Sequence, residues 1–197
     1  MSTFLVTGCG HSGTKLLSLQ LGEAEDWVVE HEPDEAIAAW VASRRFERAE
    51  REKINYGEVN SFLLAAALDV PADRKAVLLR NPYNLVYSIA QPGKEEAVID
   101  YVRGGIAWIE SLLSRGFTAI AFKGITGKDP NYVVERAREL GVRLDVGTVR
   151  TSTVINPHAI NREAWESVSA PRFSAMTVTE FDRFIYRYNL ENATGPR

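Results

Sequence analysis

The sequence predicts an α/β domain: three layers, with helices on both faces of a mainly parallel sheet. Two observations carry this. Short apolar runs alternate with stretches of helical periodicity; the runs are TFLVTG at 3–8, WVVEHE at 27–32, KAVLLRNP with its strand at about 76–80, and FTAIAFKG at 117–124. The joints between them are short and place Gly, Pro and Asp where helices start or stop, as strand–crossover–strand units require.

In chain order, the first run ends in Gly8, and HSGTKLLSLQLG after it sets Leu17 and Leu21 at helical spacing, so a strand, a loop and a helix follow one another. WVVEHE is the second strand, and Pro33 and Asp34 suit the first turn of a helix reaching about residue 50. Within that helix RRFERAEREK mixes both charge signs, which describes a solvated face better than a nucleic-acid patch. After the third strand, Pro82 opens a helix bearing YNLVYSIA. Between about 95 and 115, Val98, Tyr101, Val102, Ile106, Ile109, Leu112 and Leu113 share one stripe and read as core, with no chemistry assigned. Asp129 as N-cap, Pro130 in the first turn and Gly141 at the stop bound the next helix. LDVGTVRTSTVI is a fifth strand or a hairpin-like extension, and a last helix is expected from about Glu180 to Leu190.

The length of 197 residues suits one core, so a single domain over 1–197 is expected. A hydrophobic fraction of 45% with 25% charged residues is that of an ordinary globular chain. With 23 Lys plus Arg against 26 Asp plus Glu, the formal charge is −3 and there is no global positive field. Nucleic acid is therefore not an expected partner, and an anion site has to be built locally. The single cysteine, Cys9, allows neither a disulfide within the chain nor a cysteine zinc set. The opening FLV run is short and lacks a basic flank, so neither a secretory signal nor a membrane span is expected, and the expected location is cytoplasmic.

The stretch GCGHSGTKLL is the first candidate site. Gly8, Gly10 and Gly13 let the backbone turn tightly between a strand and a helix, so that successive N–H groups can converge on one anion. Against the nucleotide-kinase loop G-x-x-x-x-G-K-S/T, Gly8 and Gly13 match but Thr14 and Lys15 stand in reversed order. Kinase loops also draw on a strand-end carboxylate to hold Mg²⁺. Here AVLLR ends in arginine and IAFK in lysine, so no metal site is expected. That combination suits a phosphate-bearing donor that gives up something other than a phosphoryl group. GCGHSG also satisfies G-x-G-x-x-G formally, yet the EHE cluster confuses the place of the ribose-binding acid in a dinucleotide site.

The second candidate is RNPYNLVYS, with Arg80 at a strand end and Ser88 about two turns into the next helix. Such an arginine can hold a phosphate by two parallel charge-assisted bonds, although an arginine merely capping the sheet is the commoner case. Together, GCGHSGTKLL and LLRNPYNLVYS resemble the two cofactor motifs of the sulfotransferase family. These are a 5′-phosphosulfate loop K/R-S-G-T-x-x-L and a 3′-phosphate motif R-D/N-P with Ser six residues after the proline. The matching residues are Ser12, Gly13, Thr14 and Leu17, then Arg80, Asn81, Pro82 and Ser88, over roughly the first 125 residues.

The resemblance implies a P-loop NTPase-like sulfotransferase fold and the donor 3′-phosphoadenosine 5′-phosphosulfate (PAPS), with adenosine 3′,5′-bisphosphate as product. It implies that Gly10, His11, Ser12, Gly13, Thr14 and Lys15 wrap the phosphosulfate, and that Arg80 and Ser88 bind the 3′-phosphate. His11 departs from the Lys or Arg of most members. An imidazole is mostly neutral at pH 7, and donor charge beside it favours the imidazolium, so His11 is expected as a catalytic residue that donates to the bridging oxygen or the sulfuryl group, with a sharper pH dependence than lysine would give. Carbohydrate sulfotransferases are similar in carrying a Glu-Pro pair after the second strand, which maps to Glu32 and Pro33.

Transfer to a hydroxyl benefits from a base. The candidates in EHEPDE are Glu32, then His31, then Glu30, each of which could equally cap a helix or pair with a basic neighbour. Alternation along a strand puts Glu30 and Glu32 on one face and His31 on the other unless the strand ends first. Lys123, and Arg150 with Thr151 and Ser152, are placed by position near the same crevice, and His158, Trp165 and Arg172 in a lid segment. The expected acceptor is a small molecule or carbohydrate. The rivals are a P-loop kinase for a small molecule or nucleoside, and a nucleotide-binding module without catalysis.

Overall fold

A computed structural model describes residues 1–33, 39–89, 93–149 and 178–190. Five strands, β1 (Thr3–Gly8), β2 (Trp27–His31), β3 (Asn55–Val59), β4 (Arg74–Leu79) and β5 (Thr118–Ala121), form one all-parallel sheet in the order β2-β3-β1-β4-β5. The helices are α1 (Thr14–Leu21), α2 (Ala39–Glu52), α3 (Pro82–Ile89), α4 (Glu95–Ser114), the short α5 (Phe122–Ile125), α6 (Pro130–Glu139) and α7 (Thr179–Arg187). A 3-10 turn occupies Ser61–Leu63.

Alternation along the strands sends side chains to two cores, one on each face of the sheet. Leu5, Val77 and Leu79 pack under α2, α3, α4 and α7 through Phe46, Leu85, Val102, Ile109 and Phe181. Phe4, Val6, Leu78 and Ile120 pack under α1 and α6 through Leu17, Leu21, Val133 and Ala137. The three layers expected from the sequence are therefore present, and every residue of β1 is buried.

The differences from expectation have local causes. The strand β3, NYGEV, carries no strand pattern in the sequence, because Asn55, Gly57 and Glu58 break any apolar run. Its glycine is required by packing: Gly57 pairs with Phe4, and a Cβ there would lie 2.0 Å from the Phe4 ring. The fourth expected strand stops at Ala121, and Phe122 turns directly into α5, where Thr126 donates to its carbonyl at 2.9 Å. Residues 144–149 form no strand, only a turn in which Asp145 accepts from Gly147 N–H at 2.8 Å; the rest of LDVGTVRTSTVI lies outside the described residues. So do Asp34 and the expected start of α2. Tyr101 leaves the buried stripe of α4 and is 52% exposed. Among the described residues no helix is long and apolar enough to cross a membrane.

Candidate functional site

The neighbours β1 and β4 are followed by connections that run to opposite edges of the sheet, α1 on one face and α3 with α4 on the other. In open α/β sheets ligands bind beyond the carboxyl ends of the strands at a switch point of this kind. Both motif clusters flank it, since the loop of residues 9–13 follows β1 and Arg80 follows β4.

The loop is shaped by close packing. Gly13 holds φ 102°, and a Cβ there would meet the Phe122 ring at 2.6 Å. His11 takes a left-handed φ of 63°, a conformation that disfavours a side chain with a Cβ and recurs at functional sites. Its carbonyl accepts a hydrogen bond from Arg80 Nη1, and its side chain is exposed. The Arg80 guanidinium lies 4.4 Å from the centroid of Phe122, and burial lowers its pKa. Phe122 thus supports both Gly13 and Arg80, a role with no signal in the motif itself.

The expected loop residues divide once placed. Gly10 N–H donates to Tyr101 Oη at 3.1 Å, so α4 reaches the loop through a residue read as core. Burial, the main cause, raises the Tyr101 pKa, and Glu32 raises it further. Ser12 sits beneath the loop, fully buried, with its N–H bonded to Cys9 and its Oγ without a partner. A Cβ on Gly8 would approach that Oγ to 2.7 Å. No side chain caps α1, and the amides of Thr14, Lys15 and Leu16 point out of its first turn, a favourable place for an anion. Lys15 is exposed beside them. Ser88 donates to Leu85 O at 3.0 Å within α3 and is half-buried.

At the end of β2 the alternation expected of Glu30, His31 and Glu32 breaks, because the strand ends at His31 and Glu32 adopts φ 44°. His31 and Glu32 then meet on Thr14. The Thr14 hydroxyl donates to Glu32 Oε1 at 3.4 Å and lies 3.2 Å from His31 Nε2, while His31 Nε2 is 3.8 Å from Glu32 Oε2. Burial lowers the His31 pKa, Glu32 opposes this and Lys15 adds to it. The neutral imidazole is therefore favoured at pH 7. Glu30 is turned elsewhere and accepts from Tyr56 Oη at 2.7 Å.

Sequence reasoning missed a buried polar cluster behind these groups. Glu58 on β3, 0% exposed, is gripped by Arg45 of α2 (Nε to Oε2 3.0 Å, Nη2 to Oε1 2.8 Å) and by Asn60 Nδ2 at 2.8 Å. Lys123 lies in α5, not at a strand end, and donates to Asn189 O at 2.6 Å. Arg150, Thr151, Ser152, His158, Trp165 and Arg172 lie outside the described residues. Among the described residues no group of three or more His, Cys, Asp or Glu is arranged to hold a metal ion.

No protein-family model matches the chain, and no curated protein does. Among solved structures it is similar to the sulfotransferase domain from the Synechococcus PCC 7002 olefin synthase. The TM-score is 0.57 at 11% sequence identity, over 95% of this chain and 94% of that one. At that identity the likeness concerns architecture, and the five-stranded all-parallel sheet with helices on both faces has the fold of a sulfotransferase domain.

Proposed function

We propose that the chain is a sulfotransferase, moving a sulfuryl group from PAPS to an acceptor hydroxyl on a small molecule or carbohydrate. The observation that carries this reading is the joining of the two anion motifs at the switch point, where Arg80 is fastened to the carbonyl of His11 beside the first turn of α1.

The residues present fit such a donor. Arg80 Nε, at the end of β4, is a buried polar atom without a partner, which a folded protein rarely leaves unexplained. The donor would supply the sulfuryl group and a bisphosphate that departs with the bonding electrons. The first-turn amides of α1, Lys15 and His11 would hold the 5′ end, and Arg80 with Ser88 the 3′-phosphate. Glu32 Oε2, on the side of His31, takes the acceptor hydroxyl's proton, and a neutral His31 is the second candidate for that step.

Phosphoryl transfer draws on one observation, the carboxylate of Glu58 on β3 beside the loop strand. Both of its oxygens are already engaged by Arg45, one of them also by Asn60, which suits it poorly to a metal. Calorimetric titration with adenosine 3′,5′-bisphosphate, run beside ATP with and without Mg²⁺ and repeated for Arg80→Ala, tests the choice. Binding of the bisphosphate without metal, abolished by Arg80→Ala, is expected. Binding of Mg-ATP alone would overturn the sulfotransferase reading. Turnover of PAPS in the presence of acceptors then separates an enzyme from a non-catalytic nucleotide-binding module.

A further inference from the structure

Glu32 is held from outside its own strand. Its N–H donates to Val59 O at 3.2 Å, and beyond that bond the chain leaves β2 in a left-handed conformation that a Cβ makes unfavourable. Its side chain is caught by the turn after β3: Ser61 donates to Glu32 Oε1 twice, through its N–H at 3.2 Å and through Oγ. With Thr14 also on Oε1, Oε2 is left facing His31.

The location of Ser61 is fixed in turn by Asn60, which is fully buried. Asn60 N–H continues the ladder to Val6 O at 2.9 Å, its Oδ1 accepts from Phe62 N–H at 2.9 Å to start the 3-10 turn, and its Nδ2 donates to Glu58. Glu58 cannot drift, because its buried charge is compensated by the two-pronged contact from Arg45 and loses that compensation if it moves. We infer that Ser61 is a positioning residue for the Glu32 carboxylate, and that the buried Arg45–Glu58–Asn60 cluster is the anchor that sets where Ser61 stands. The use of Glu32 as a base rests on the sulfotransferase reading; its positioning does not.

A bare helix cap or turn contact would not need this chain of fixed groups to end on a carboxylate at the carboxyl end of the sheet, against Thr14 in the first turn of α1. The consequence is that one oxygen is immobilised and the other is presented, the division a general base needs. Carboxyl-carbon NMR on the full chain tests it, with the Glu32 signal assigned by its loss in Glu32→Gln. Ser61→Ala, at a half-buried site, is expected to move that signal by more than its linewidth, and Ser61→Thr, which keeps both donors, to restore it. Arg45→Lys keeps the charge but not the fork, and is expected to move the same signal.

An unmoved Glu32 signal in Ser61→Ala would overturn the positioning role, and a signal moved by Ser61→Ala but not by Arg45→Lys would overturn the anchor. Failure of the wild type to turn over PAPS while the signal moves as expected would count against the sulfotransferase reading and leave the positioning intact.

Discussion

Arg80 donates through Nη1 to the carbonyl oxygen of His11, and this bond ties the end of β4 to the loop after β1. The left-handed φ of His11 is part of the same arrangement. Arg80→Lys keeps the charge but loses the planar fork and the face stacked on Phe122. Affinity for adenosine 3′,5′-bisphosphate is expected to fall about 10- to 100-fold, the equivalent of the ~1.5–3 kcal/mol of a hydrogen bond to a charged group. Calorimetry reads it directly, and an unchanged Kd would remove Arg80 from the binding site.

Two adjacent glycines in α4 are expected to respond oppositely to the same substitution. A Cβ on Gly105 would lie 2.1 Å from Cys9 Sγ, while one on Gly104 meets nothing within 4 Å. Gly104→Ala should therefore stabilise by ~0.5–1 kcal/mol through helix propensity. Gly105→Ala should destabilise by ~1–3 kcal/mol through overpacking, and weaken bisphosphate binding by displacing the loop. Urea denaturation of the pair checks both signs, and equal effects would show that Cys9 gives way freely.

What was legible in the sequence is what local chemistry demands. Gly8 and Gly13 announce a tight turn because a Cβ at either would collide, and Leu17 and Leu21 announce α1 because they share a buried face. What was not legible depends on distant partners. Glu58 reads as a surface residue until Arg45, thirteen residues earlier on α2, compensates its charge. The whole of β3 hid behind it, though a long stretch between α2 and β4 with no assigned element was itself a sign of a missing strand. Tyr101 satisfied the apolar periodicity of α4 because its ring is amphipathic, and only the fold shows its hydroxyl on Gly10.

Burial pushes the Cys9 thiol up to about 12, so at neutral pH it is a packed thiol and not a nucleophile. Alkylation of the native chain at pH 8 is expected to be slow and to speed up sharply in denaturant, when the thiol recovers its ordinary acidity. Mass spectrometry of timed samples measures the ratio. Rapid labelling of the folded chain would mean that the loop opens away from Gly105.

His31 makes the pH dependence of stability testable with a definite sign. Burial, its largest influence, lowers its pKa below 6.5 in the fold, with Glu32 opposing and Lys15 reinforcing the shift. The unfolded chain then holds the proton more readily, so stability rises with pH between the lowered folded value and about 6.5. That contribution is complete above 6.5 and lost as the pH falls through the folded value. Other groups titrate too, so the quantity to compare is the difference between wild type and His31→Gln in unfolding free energy from pH 4.5 to 7.5, chosen to bracket ~6.5. The wild type is expected to lose ground to the variant on acidification. A difference that stays flat, or that grows in the other direction, would mean that His31 is solvated as the cation and that Glu32 alone is left to take a proton.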